Sequence, residues 1–294
     1  RRGPRARARY NPGRFHPPGP MDTPAPIPAE LAGRRLYEPI AHWLRGLVQP
    51  GLPDAGRLTA LLAAAAPDAR SGAGRPLRFV HGAPGPDGYE AHVHDHGEIP
   101  TREHDWHDFF NALAWCAWPR TKAAMNAAHV REIAARRAAG LPGRGPRRDA
   151  LTQFDECGLV VTSSDPALLD ALARHDWSHV FVERRATLAA TMDFRLLGHA
   201  SWDQLRAPFV GLCARCVHRT VAPDWFALDG AARQRNTDAW LAAAVEAGTL
   251  LTAPRALRPL PLLGIPGVTP DSEHPDYYRD TRQFRPPPGE RRCA

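Results

Sequence analysis

Thr101-Arg-Glu-His-Asp-Trp-His-Asp-Phe-Phe-Asn111, continuing through Ala112-Leu-Ala-Trp-Cys-Ala-Trp-Pro119 to Arg120-Thr-Lys122 and on to His129, decides how the chain reads. Asp105 is a good helix N-cap, and Asp108 three positions later makes an imperfect capping box. A helix is predicted from there to about Trp118. Pro119 ends or kinks it, because proline cannot donate to the helical ladder. A second helix is predicted from about Arg120 to Ala138. Residues three and four apart share a helix face. His107 and Asn111 therefore form one stripe, and Lys122, Asn126 and His129 form another. Ala123, Ala124, Ala127 and Ala128 flank the second stripe and allow a neighbouring element to come close. If Pro119 folds one helix against the other, two imidazoles, two amides and an ammonium surround a common space. The alternative is two capped amphipathic helices whose polar faces hydrogen-bond locally.

Outward from this pair the pattern is mixed. Residues 34–48 and 57–66 read as helices, the first with Leu36, Ile40, Trp43, Leu44 and Leu47 on a 3.6-residue period. Residues 77–81 and 89–94 read as short strands around a turn over 82–88. Residues 140–146, rich in Gly and Pro, read as an exposed connector. Residues 151–154 and 159–162 read as a β-hairpin turning at Asp155-Glu-Cys-Gly158. A helix over 166–174, strands over 179–183 and 192–197, a short helix after Gly198-His199 and an Ala-rich helix over 228–247 follow. The segment Pro259-Leu-Pro-Leu-Leu-Gly-Ile-Pro-Gly267 carries too much proline for a central strand or a helix. The fold class expected is α+β: a helix-rich single domain over residues 25–286, with a small mixed β-sheet and a β-hairpin.

Composition narrows the function. The chain has 294 residues and a net charge of +7, with 38 basic residues of which only Lys122 is lysine. Residues 1–20 hold six arginines, five prolines and no acid, so the remainder is nearly neutral at +1. Residues 1–24 are expected to be a disordered tail, read either as upstream translation or as a nucleic-acid-binding arm; residues 287–294 are expected to fray. Nucleic acid is not expected as a partner apart from that tail. Arginine-rich composition also sets Lys122 apart, since a compact ammonium does what a guanidinium cannot. No apolar run reaches the roughly 18 residues of a membrane helix, and no apolar core follows the basic N-terminus as in a signal peptide. Five scattered cysteines fit a reducing cytoplasm better than a disulfide framework.

Other constellations are weaker. The glycine fingerprint of a dinucleotide fold and the phosphate-binding Walker loop are both missing from the sequence. His104, His107, Asp108 and His129 are metal-ligand types, and His92, His94 and His96 would converge on one strand face. No His-Glu-x-x-His pair accompanies them, so no metal site is assigned and no cofactor is named. Cys213-Ala-Arg-Cys216 is a lone pair that would need two further zinc ligands. Arg148 and Asp149 read as a surface ion pair, with Asp149 alternatively aimed at the helical pair.

Several short motifs recur together: Tyr89-Glu90, Gly97-Glu-Ile-Pro-Thr-Arg102, Trp106-His-Asp-Phe-Phe-Asn-Ala-Leu113, Trp118-Pro-Arg-Thr-Lys122 and Asn126. Arg148-Asp-Ala-Leu-Thr152, Phe154-Asp-Glu156, Gly198-His-Ala200, Pro261-Leu-Leu-Gly-Ile-Pro-Gly267 and Phe284-Arg-Pro286 complete them. Together they resemble the proteobacterial family catalogued as domain of unknown function 3025, over about residues 35–286. The resemblance implies a single bacterial domain and carries over no catalytic residues. The Cys213/Cys216 pair and the His92/His94/His96 run stand outside its pattern.

The expectation is a cytoplasmic enzyme acting by hydrolysis or group transfer on an anionic small molecule. His107, Asn111, Lys122, Asn126 and Asp149 are the candidate catalytic residues, with His107 the base and Lys122 the anion clamp. Arg102, His129 and His199 are the candidate substrate-binding residues. A non-catalytic domain that binds nucleic acid or protein is the alternative, and a structural role for the polar stripes is the third reading.

Overall fold

The computed structural model describes residues 27–83 and 88–286; the tail read over 1–24, the middle of the turn read over 82–88 and the end read over 287–294 lie outside them. Two 3-10 turns, Pro28–Leu31 and Glu38–Ile40, lead into the short helix α1 (Ala41–Arg45). The helix expected over 34–48 is thus broken, because Leu36 sits in the left-handed region at φ 75° and the apolar side chains reach the core from separate turns. Tyr37 Oη donates to the Trp202 carbonyl at 2.6 Å and Trp202 Nε1 donates to the Leu36 carbonyl at 2.9 Å, which ties this segment to a distant helix. Helix α2 (Ala55–Ala65) starts at Asp54, whose carboxylate accepts from the Arg57 amide.

Strand β1 (Arg78–His81), helix α3 (Tyr89–His96) and strand β2 (Glu98–Thr101) form a compact βαβ unit with β1 and β2 parallel. The strand expected over 89–94 is helix. Tyr89, Ala91 and Val93 alternate with polar residues as a strand would, but only Val93 is fully buried. Gly97 ends the helix at φ 71°, and a Cβ there would lie 2.3 Å from the Pro76 carbonyl oxygen, so only glycine fits.

Helix α4 (Trp106–Ala117) begins at Asp105, whose carboxylate accepts from the Asp108 amide at 3.0 Å. Phe109, Phe110 and the whole run from Ala112 to Ala117 are buried, so this helix is enclosed on nearly all sides. Trp118 leaves helical geometry and its indole donates to the Leu196 carbonyl at 3.1 Å. Helix α5 (Pro119–Ala138) then starts with proline at its first position, where a missing amide hydrogen costs nothing. Helix α6 (Pro146–Cys157) replaces the first strand and turn of the expected hairpin and passes directly into β3 (Gly158–Ser163). Gly158 has φ −73°, not the positive φ a turn needs; it is small because a Cβ would meet the Phe154 carbonyl at 2.2 Å.

Helix α7 (Pro166–Ala173) is capped by Asp165. Residues His179–Glu183 form a π-helical turn where a strand is expected, with His179 Nδ1 2.8 Å from Glu183 Oε2 across it. Helix α8 (Arg185–Thr191), strand β4 (Met192–Leu196) and helix α9 (His199–Gln204) follow. Strand β5 (Cys213–Thr220), helix α10 (Gly230–Glu246) and strand β6 (Arg258–Pro261) complete the chain. The second sheet has the order β4-β3-β5-β6. Its centre, β3, pairs antiparallel with β4 and parallel with β5, so the sheet is mixed. All six residues of β3 are buried, as a continuous apolar run predicts for a strand covered on both faces. Proline-bearing β6 lies at the edge, where lost donors are tolerated. The fold is therefore α+β and helix-rich, with one continuous apolar core running from Leu31 to Phe284.

Candidate functional site

Five helices bring polar side chains to one place: α3, α4, α5, α6 and α9. Lys122 on α5 is the anchor, only 3% exposed. Its Nζ donates to Asn111 Oδ1 at 2.8 Å and to Asp155 Oδ1 at 2.5 Å, and lies 5.3 Å from the centre of the Trp115 ring. Asn111 in turn donates through Nδ2 to the Tyr89 hydroxyl at 3.1 Å. One turn along α5, Asn126 donates to both the backbone carbonyl (2.9 Å) and the Oε2 (2.7 Å) of Glu90. His129 Nε2 lies 3.6 Å from Glu90 Oε1.

The other end is built by His107, His199 and Glu156. The two Nε2 atoms of His107 and His199 face each other at 3.1 Å, with the rings edge-on at 4.4 Å between centres. His199 Nδ1 is 3.7 Å from Asp155 Oδ2, and His199 Nε2 is 3.8 Å from Glu156 Oε2. Gly198 makes this possible. Its amide donates to the Gly158 carbonyl at 2.9 Å, and a Cβ on it would fall 2.4 Å from Cys157 Cα. Backbone-to-backbone contact thus seats α9 against the C-terminal end of α6, beside Asp155 and Glu156.

Burial and charge act against each other here. Burial raises the Glu90 carboxyl to about 7, even though Asn126, Lys122 and Arg148 pull it down. Burial lowers the His129 imidazole to about 4 and that of His199 to about 3, despite the Asp155 charge beside each. For Asp155, burial is the largest single influence and raises it, but Lys122 and His199 outweigh it, so the group ends below its ordinary range. Burial raises Glu156, which keeps 42% of its side chain exposed. The cluster is therefore dry at Lys122, His129 and His199 and open at Glu156. Among the described residues, Asn126 Oδ1, His129 Nδ1, His199 Nδ1 and Trp115 Nε1 are buried without a well-formed hydrogen bond.

Of the residues singled out from the sequence, His107, Asn111, Lys122, Asn126, His129 and His199 converge. Arg102 does not: its guanidinium is held by Asp108 at 2.8 and 2.9 Å and by Asp105 at 3.1 Å, on the surface. Asp149 stands exposed on the first turn of α6 with Arg144 at 3.5 Å. Arg148 is consequently not its partner; among the described residues it has no carboxylate within ion-pair distance and its buried Nε has no acceptor. Arg148 is near enough to pull the Glu90 carboxyl down, which puts a cation in the neighbourhood of the cluster. Tyr89, Glu90, Asp155, Glu156 and Arg148 were not identified as site residues. The signal available for all five was their place in the recurring motifs quoted above.

His92, His94 and His96 do not converge as a set, because α3 is a helix; His92 and His96 share a face with ring centres 5.0 Å apart, and His94 points elsewhere. His92 pairs with Glu98 at 3.1 Å and His94 with Asp95 at 2.7 Å. Cys213 and Cys216 lie on β5, where positions three apart face opposite ways; Cys216 is buried, Cys213 exposed, and both are free thiols. His104 is exposed in the turn before α4, at φ 57°. No described helix is long and apolar enough to cross a membrane.

A separate cleft of about 1320 Å³ opens elsewhere, lined by Arg34, Arg35, Trp43, Arg120, Arg235 and others, and includes none of the cluster residues.

Residues 77–288 match the family model described as "Protein of unknown function (DUF3025)", and the chain belongs to that family. No curated protein and no solved structure matches the chain.

Proposed function

We propose that this member of the family is an enzyme that hydrolyses, or transfers a group from, an anionic small molecule at the five-helix cluster. What carries the reading is the facing pair His107 and His199, with Nε2 atoms 3.1 Å apart, at the open end of an otherwise dry polar network. Packing alone does not call for an unpaired His199 Nδ1 or for a half-exposed Glu156 above it. The roles divide by depth. His107, His199 and Glu156 form the reactive end. Lys122, Asn111 and Tyr89 hold Asp155 and fix the floor, because the Lys122 ammonium is already engaged by Asp155 and Asn111. The anion contact falls to Arg148, the cation beside the cluster without a carboxylate partner among the described residues. Guanidinium geometry suits phosphate or carboxylate through paired N–H donors.

The test uses inorganic phosphate as the binding probe and p-nitrophenyl phosphate as the chromogenic one. Thermal stabilisation by phosphate is expected for the wild type and for His107→Asn, and is expected to vanish in Arg148→Ala. Turnover is expected to fall at least tenfold in His107→Asn. A wild type that responds to neither probe, or an Arg148→Ala that responds fully, sinks the reading.

The basic cleft favours a second reading, a binding surface for an acidic partner. Its volume exceeds the roughly 300–1,000 Å³ of ordinary small-molecule pockets. Loss of phosphate response on Arg120→Glu with Arg235→Glu, at unchanged Arg148, distinguishes it.

A further inference from the structure

We infer that His107 Nε2, His199 Nε2 and a carboxylate oxygen of Glu156 form a three-ligand site for a divalent transition-metal ion, with zinc the fitting choice. The inference rests on the proposed reaction site and names its cofactor. The three ligand atoms all lie within 4.8 Å of one another, with the two nitrogens 3.1 Å apart and Glu156 Oε2 3.8 Å from His199 Nε2. Bonds of about 2.0–2.2 Å place two ligands of one ion roughly 3–3.5 Å apart, so small shifts of the half-exposed Glu156 side chain complete the set.

Two nitrogens and one carboxylate leave coordination positions free, the arrangement of a catalytic rather than a closed structural zinc site. The free positions face outward, since Glu156 is the exposed member. A second observation points the same way. His199 is 4% exposed, and among the described residues no side chain hydrogen-bonds its Nδ1, with Asp155 its near neighbour and Oδ2 at 3.7 Å. An ion on Nε2 fixes the proton on Nδ1 and turns it toward that carboxylate, the outer support that metal-bound imidazoles ordinarily carry. Lys122 holds Asp155 in place for this, and Asn111 accepts from the same ammonium. Among the described residues Glu156 accepts no hydrogen bond, and His199 Nε2 lies 3.8 Å from its Oε2.

With the ion bound, both imidazoles are ligands and water activation passes to the metal. A bound water loses its proton to solvent and becomes hydroxide. The hydroxide oxygen bonds to the phosphoryl or acyl centre, and the bond to the leaving group breaks with its electron pair going to the leaving group. No oxidation state changes.

The experiment treats the full chain with chelator, removes the chelator, and titrates Zn²⁺ by calorimetry and Co²⁺ by visible absorption. One equivalent of Zn²⁺ and a four- or five-coordinate Co²⁺ spectrum are expected. Glu156→Gln and His107→Asn, both at partly exposed positions, are expected to weaken Zn²⁺ by at least tenfold. Asp155→Asn is expected to weaken it ~10- to 100-fold without altering the stoichiometry. Controls at the other ligand-type residues, His92→Asn and Cys213→Ser, are expected to bind Zn²⁺ as the wild type does. Absence of binding, or binding that survives Glu156→Gln and His107→Asn unchanged, overturns the metal site. Phosphate stabilisation of the chelator-treated protein is read in parallel. If it persists while Zn²⁺ fails to bind, the metal falls and the anion site stands; if Zn²⁺ binds as expected but phosphate never responds, the reverse holds.

Discussion

At the first turn of α5 the Asp238 carboxylate accepts from the Thr121 amide at 2.8 Å and the Arg120 amide at 3.2 Å, reaching over from α10. The Thr121 hydroxyl donates to the Asp238 carbonyl at 3.1 Å, and neither carboxylate oxygen is left without a partner. Further along the same helix, Asn126 and His129 bury polar atoms that have no partner, and Lys122 faces a carboxylate that is partly open to solvent. Both regions bury charge against one helix, α5. The first supplies the amide acceptors that Trp118 and Pro119 cannot, and its bonds are complete. The second leaves Asn126 Oδ1 and His129 Nδ1 without a partner among the described residues. Completeness of hydrogen bonding thus separates a residue that holds the helix from one that is free to meet a ligand.

The sharpest break in this comparison is Lys122→Met. It strands the Asp155 carboxylate, and the loss expected in urea unfolding is about 3 kcal/mol, the lower end for a broken buried pair because Asp155 is 23% exposed. Adding Asp155→Asn is expected to restore most of it. A double variant as unstable as the single one would move this pair to the structural side. Next is Asp238→Ala, expected to cost about 2–3 kcal/mol by leaving the buried Thr121 amide and the part-buried Arg120 amide without acceptors. Phosphate and Zn²⁺ responses are expected to survive it; their loss would erase the distinction between the two regions.

Third comes a pH test of the pair Glu90 and His129. Glu90 rises from 4.5 to about 7 on folding, so the native state holds a proton that the unfolded chain releases, and stability falls as pH rises from 4.5 to 7. His129 falls from 6.5 to about 4, so the unfolded chain binds a proton that the native state refuses, and stability falls as pH drops from 6.5 to 4. The two slopes oppose each other between about 4.5 and 6.5. Asp155, Lys122 and Arg148 face both groups, and Arg144 faces His129; all remain in the variant. Glu90→Gln removes one slope, so acidification from pH 6.5 to 4.5 is expected to destabilise it by up to about 1.4 kcal/mol per pH unit relative to wild type. Parallel melting-temperature profiles for the two proteins would contradict the assignment. The smallest effect is expected from Glu156→Gln, within about 0.5 kcal/mol of wild type in stability, since its carboxylate bonds to nothing in the fold. A large loss there would make Glu156 a structural residue.

The faces of α4 and α5 were legible because a helix repeats, and spacing of three and four residues fixes which side chains share a side. Asp105 and Pro119 marked the helix limits through properties of single residues. Asp155 and Glu156 were hidden for a different reason. Their partners lie on α4, α5 and α9, and no local pattern encodes which distant segments meet. The stretch from Arg147 to Gly158 also ended in residues that suit a turn, so a helix running straight into β3 passed for a hairpin. Tyr89 and Glu90 were lost to an alternation that imitates a strand in a helix with little apolar face.

Gly198 has a consequence for how the chain is made. It seats α9 against α6 directly after β4, which pairs with β3 across the intervening α7 and α8. Closing that span is a non-local event, slower than forming the helices themselves. A nascent chain that has emerged as far as α6 already carries Tyr89, Glu90, Asn111, Lys122 and Asp155, yet it lacks His199. His199 is therefore the last of the cluster residues to be synthesised. An incomplete or cleaved product ending before β4 would lack the second imidazole altogether.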